Sequence, residues 1–168
     1  MFMNIIIPFF ENQLKEEAVI TRKMLNIVPE DKYDWQPHPK SMTIRALATH
    51  IAELPGWIPM AIDTDVLDFA ANDYKPTPIS NNKDLLNTFE LNQKKAEEAL
   101  PQTTDEYLQN IWTMKSGDQI FLSLTKQEVI RQALSQTIHH RAQLGVFLRL
   151  LNIPIPGSYG PSADEMNF

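Results

Sequence analysis

The stretch from Thr125 to Leu151 constrains this chain most. Thr125-Lys-Gln-Glu128 is a capping-box pattern, in which the threonine hydroxyl accepts from a backbone N–H and the glutamate reaches back to the cap. Beyond it Ile130, Ala133, Thr137, His140, Leu144, Phe147 and Leu151 recur at alternating three- and four-residue steps, the period of one helical face. Asn152 and Pro154 end the helix. A long helix with a single apolar stripe has to bury that stripe against other elements, so the remaining sequence is read for partners.

Three further helices are predicted. Pro8 suits a first turn, where its missing N–H has no intrahelical partner, and Phe10, Leu14, Ala18, Thr21, Leu25 and Val28 then form one stripe before Pro29. After the proline-bounded connection Tyr33–Pro39, Ser41 or Thr43 can cap a second helix with the stripe Ile44, Leu47, Ile51 and Leu54. Pro55-Gly56 should interrupt it before Trp57–Ile62. A loop from about Thr64 to Ile79 leads to Ser80, a cap for a third, more polar helix with Leu85, Phe89, Asn92 and Ala96 on one face, ending near Leu100-Pro101. Between Gln102 and Leu124 a short turn at Glu106–Leu108 is followed by Ile111–Met114 and Ile120–Leu122, two extended pieces around Gly117-Asp118. The expected fold is all-α: a four-helix bundle with a long, partly extended connection before the last helix.

The length, 168 residues, suits one domain. With a net charge of −6 and no dense Lys/Arg run, neither nucleic acid nor an anionic membrane is expected as a partner. The apolar start Ile5–Phe10 lacks a basic region before it and is too short to span a bilayer, so a cytoplasmic location is expected. Absence of cysteine leaves only His, carboxylate or amide oxygen to hold a transition metal.

His50 lies between Leu47 and Leu54 on the second helix, and His140 between Thr137 and Leu144 on the last, so both are expected to face inward. A buried imidazole needs partners for both nitrogens. Each histidine can find them in backbone or water as an ordinary core residue, which is the more frequent outcome, or the two can share a metal ion. Gln136, four residues before His140, has the spacing by which two ligands on one helix reach one ion, although its amide oxygen is a weaker donor than imidazole and it can equally be an edge-of-stripe polar residue. His139 lies about 100° around the helix from His140, as a supporting residue, a proton carrier or a surface histidine. His38 sits in the proline-bounded loop, either at a pocket mouth or simply solvated. Arg141 reads as a helix-face charge that could pair with a carboxylate of the tail, and Trp35 and Trp57 as core or pocket wall. There is no GxSxG and no phosphate-binding glycine loop among five glycines in all.

Trp35-Gln-Pro-His-Pro-Lys-Ser41 leading to Ile44–His50, the run His139-His140-Arg141-Ala142-Gln143-Leu144, and the tail Ile153–Glu165 together resemble the DinB/YfiT-like superfamily of metal-dependent proteins. The resemblance implies a four-helix bundle, often dimeric, binding nickel, zinc or iron through one histidine of the second helix and an HxxxH pair of the last. By position His50 matches the first ligand and His140 the last, while the middle one falls on Gln136. It further implies a metal-dependent enzyme on a small molecule, of the thiol-dependent transferase or hydrolase type, with His139 and His38 as candidate proton carriers. The alternative is a non-enzymatic bundle that binds a small ligand or partner chain through a degenerate metal site. The DinB name implies no DNA binding.

Overall fold

A computed structural model describes residues 5–71 and 75–166. Helix α1 (Ile6–Asn26) buries five residues of its predicted stripe, and the sixth, Val28, is buried just beyond its end. It begins two residues before Pro8 because the Asp105 carboxylate, from the far side of the chain, accepts the N–H groups of Ile5, Ile6 and Ile7 at 2.6, 3.0 and 3.1 Å. Helix α2 (Ile44–Glu53) is capped by Thr43, whose hydroxyl accepts from Ala46 N–H, and its stripe Ile44, Leu47, Ile51 and Leu54 is fully buried. A 3-10 turn at Leu54–Gly56 joins it to α3 (Trp57–Asp63), so the two behave as one interrupted helix. Gly56 lets α4 approach closely there: a Cβ would stand 2.9 Å from the Asn92 side-chain oxygen, which would have to shift. The Asn92 amide donates to the Ala52 carbonyl across this close approach.

Helix α4 (Asn82–Ala99) is capped by Asn81, not Ser80, and buries Leu85, Phe89 and Ala96. Helix α5 (Lys126–Leu150) carries the predicted capping box intact. Helices α1, α2, α4 and α5, with α3 extending α2, form the bundle.

The bundle is not strictly all-α. Strands β2 (Ile111–Ser116) and β3 (Gln119–Thr125) form the expected antiparallel pair, turning at Gly117 with φ +57°. A third strand, β1 (Val66–Asp68), lies within the predicted loop Thr64–Ile79, of which 72–74 fall outside the described residues, and pairs in parallel with β2. An isolated hairpin would be marginal. This one is held because β1 extends it and because Trp112 is wholly buried against Ala61 and Val129, with its indole N–H donating to the Thr64 hydroxyl at 3.1 Å.

Two buried cations fix α5. Lys126 is fully enclosed, its ammonium donating to the carbonyls of Ala61, Ile62 and Thr64 and pairing with Asp65 at 2.9 Å. It therefore caps the C-terminal end of α3, where a cation is favoured. Arg141 is 2% exposed and meets Glu17 of α1 at 2.6 Å. Thr21 accepts at 3.0 Å from the same guanidinium nitrogen, and the Tyr159 hydroxyl, 3.2 Å from the other, donates to Glu17 at 2.6 Å. The expected solvent-facing Arg141 paired to a tail carboxylate is thus corrected. Its partner is a helix carboxylate, and the tail contributes a phenol.

Removing one member of a buried ion pair strands the other, at a cost of about 3–5 kcal/mol. Glu17→Leu is expected to lose stability on that scale in urea denaturation, and Glu17→Leu with Arg141→Met to lose distinctly less. The Asp105 carboxyl is opposed by desolvation but held below its ordinary range by its three backbone bonds. Its stabilisation is therefore complete above a pH of about 3.9 and fades as pH falls through the lowered value. Asp105→Ala should cost about 1 kcal/mol at neutral pH and flatten the acid limb of a stability–pH curve.

Candidate metal site between α2 and α5

With Arg141 turned fully inward, the preceding residue His140 is rotated to the edge of the buried stripe, facing α2. His50 on α2 meets it there, and the two rings stand 4.8 Å apart, edge to face. Both are half-buried, so the expectation that they face inward is modified: they line the seam between α2 and α5 at its mouth. Gln136, singled out by its spacing from His140, meets His50 instead, its amide oxygen 3.3 Å from His50 Nε2.

His140 Nδ1 lies 2.8 Å from the Gln143 amide oxygen one turn further on. With the ring N–H donating to that oxygen, Nε2 keeps its lone pair. Burial holds the His140 pKa below its ordinary value of 6.5; the Gln143 bond opposes this, and the nearby His50 and His139 reinforce it. The ring is consequently neutral at pH 7, the form that can ligate a metal or accept a proton. Gln143 is the residue that stripe spacing did not single out. Its only local signal is the i, i+3 step to His140 within the quoted run His139–Leu144.

His139 is exposed, yet its ring centroid is 5.0 Å from that of His140, closer than a 100° separation suggested. His38 is also exposed, and its Nδ1 accepts the Lys40 N–H at 3.1 Å, closing its own turn. Trp35 is half-buried edge-on to Phe147, 5.9 Å away, as core wall. Trp57 lines a cleft that reaches Gln136. Glu53 and Glu128 are occupied by Thr77 and by the α5 cap respectively. No group of three or more His, Cys, Asp or Glu side chains converges among the described residues, so any ion here depends on the amide oxygen.

The fold recurs in solved DinB-like proteins, among them two from Bacillus species. One, from Bacillus cereus ATCC 10987, is 21% identical with a TM-score of 0.70, the match covering 95% of this chain and 100% of that one. The other, YjoA from Bacillus subtilis, is 20% identical with a TM-score of 0.69, covering 89% and 97%. No curated protein matches the chain. The sequence pattern of the DinB family matches residues 9–167, and with nearly the whole chain spanned, this protein belongs to the DinB family.

Proposed function

We propose that this DinB-family chain is a metal-dependent enzyme acting on a small molecule, with a divalent transition metal held between α2 and α5 by His50, Gln136 and His140. The observation that carries the proposal is the approach of His50 Nε2 and the Gln136 oxygen to 3.3 Å beside the His140 ring. Two ligands of a tetrahedral ion bound at about 2.0–2.1 Å lie roughly 3.3–3.4 Å apart, so the donor pair is spaced for one ion. Two imidazoles and a neutral amide supply no charge, which fits weak retention of nickel, zinc or ferrous iron. When bound, such an ion supplies Lewis acidity and lowers the pKa of a water or thiol at its open position, as transferase or hydrolase chemistry requires. Gln143 orients the His140 ring, and His139, exposed beside it, can exchange protons with solvent. His38 is the second candidate proton carrier, through its exposed ring.

A second reading has its own support. The contact between His50 and Gln136 is also a complete hydrogen bond, satisfying both groups without an ion, as in a ligand- or partner-binding bundle whose metal site has degenerated. Elemental analysis of untagged protein separates the two. Less than about 0.1 metal per chain after exposure to nickel, zinc or ferrous iron would favour the second.

We also propose a cytosolic homodimer. No helix among the described residues is long and apolar enough to cross a membrane. Phe9 and Val19 on α1 and Val146 and Leu150 on α5 are exposed at 62, 51, 60 and 59%, apolar area that a second copy would cover. Sedimentation at micromolar concentration should give twice the chain mass, and Val146→Glu with Leu150→Glu should return it to one.

Gln136→His should place an imidazole opposite His50 and raise zinc or nickel affinity at least tenfold, about 1.4 kcal/mol. The gain should reappear as a larger metal-dependent rise in melting temperature, abolished by His50→Ala. An unchanged affinity in Gln136→His would remove this residue from the ligand set.

A further inference from the structure

A cavity of about 430 Å³ opens at the C-terminal end of α3, beside the connection that follows α4. Its volume falls within the range of small-molecule sites, about 300–1,000 Å³. Ile62 and Asp63 form one wall, and Gln102, Thr103, Thr104 and Tyr107 the other. None of His50, Gln136 and His140 lines it, so it is separate from the seam between α2 and α5.

Local structure holds both walls in place. Pro101 stands in the 3-10 turn Leu100–Gln102 that ends α4 and packs against α3, after which Thr103 is extended. The Tyr107 phenol donates to the Ile62 carbonyl at 3.1 Å, tying one wall to the other. The Thr104 hydroxyl accepts the Tyr107 N–H, also at 3.1 Å.

The polar groups left over narrow the ligand. The Asp63 carboxylate and the Gln102 amide are exposed, and neither side chain has a hydrogen bond or ion pair among the described residues. Thr103 is only 9% exposed, and its buried hydroxyl has no partner, an arrangement that costs free energy until one is supplied. The single carboxylate of the lining repels an anion. The Lys126 ammonium, 5.0 Å from the centre of the Tyr107 ring, disfavours a second cation against that ring. An amide and two hydroxyls can each donate and accept, which matches the hydroxyls of a neutral molecule. Tyr107 is 40% exposed and offers ring surface to C–H groups.

We infer that this cavity is a binding site for an uncharged, polyhydroxylated ring, a single monosaccharide unit. Asp63 accepts from neighbouring hydroxyls, Gln102 and Thr104 complete the polar contacts, and Tyr107 carries the C–H face of the sugar. A small turn about the Cα–Cβ bond of Thr103 satisfies its hydroxyl against the ligand. The site needs no ion and stands independently of the proposed metal centre.

Backbone amide NMR of the full chain tests it, with D-glucose, D-galactose and D-mannose as neutral probes and putrescine and acetate as charged ones. At least one sugar should shift the amides of Asp63, Thr103 and Thr104 saturably, with a dissociation constant in the millimolar range or below. Asp63→Ala should weaken that sugar about tenfold with an unchanged circular dichroism spectrum, as for a lost hydrogen bond to a charged group. Should that variant not fold, Gln102→Ala, at an exposed position, should weaken the same sugar. Thr103→Val should leave the melting temperature of the free protein unchanged or raised, because it removes an unpaired hydroxyl, and still weaken the sugar. Failure of all three sugars to saturate these amides, tighter binding of putrescine or acetate, or sugar binding untouched by both Asp63→Ala and Thr103→Val would overturn the inference.

Discussion

The guanidinium of Arg141 determines how α5 is rotated within the bundle. Once it is committed to Glu17 and Thr21 on α1, the remaining faces of that turn have no freedom. His140 has to look toward α2, and Gln136 follows it along the same side. A buried ion pair contributes little net stability once the dehydration of both charges is counted, and an apolar pair of similar size could replace it. What it supplies here is direction: an apolar side chain tolerates small rotations, while a bonded guanidinium does not. Lys126 fixes the same helix at its beginning, tying it to the end of α3. The two cations, fifteen residues apart in the sequence, set the height and the phase of the helix that carries most of the site.

Much of the helical frame is legible because its signal is local. All six stripe positions marked on the first helix and all four on the second are buried, since a 3.6-residue period reports a face whatever it packs against. The phase of α5 is less legible. Arg141 occupies the inward position that spacing assigned to His140, and the rule that arginine faces water gave way to a carboxylate 124 residues earlier. The cap of α1 is equally hidden in the sequence, because it is Asp105, about a hundred residues away. Strand β1 left no trace: three residues paired in parallel to a distant strand show no alternation. At the site, His50 is marked by its place on the second helix's stripe, Gln136 and His140 by i, i+4 spacing, and all three by resemblance; the structure brings His50 against both of the others. Gln143 gave too little to separate it from a solvated glutamine.

The architecture divides labour between its two kinds of secondary structure. The bundle brings imidazoles from helices far apart in sequence into one seam, which parallel apolar stripes achieve with little local instruction. The hairpin does what a bundle alone does not: it lays a wall across the seam's end and converts an open groove into a cleft. Trp112 and Lys126 secure that wall from either side of the α5 start. Sheet and site are thus coupled through the first turns of one helix.

The position of Gln136 against His50 also has a genetic consequence. Glutamine and histidine codons share their first two bases, so a third-base change is enough to exchange one for the other. The side chains project from the same backbone position toward the same neighbour, and no other part of the frame has to move. Under the proposed ligand set, one third-base change therefore exchanges the amide donor for an imidazole. The exchange leaves the anchoring of the helix untouched, because Arg141 and Lys126 hold it in place.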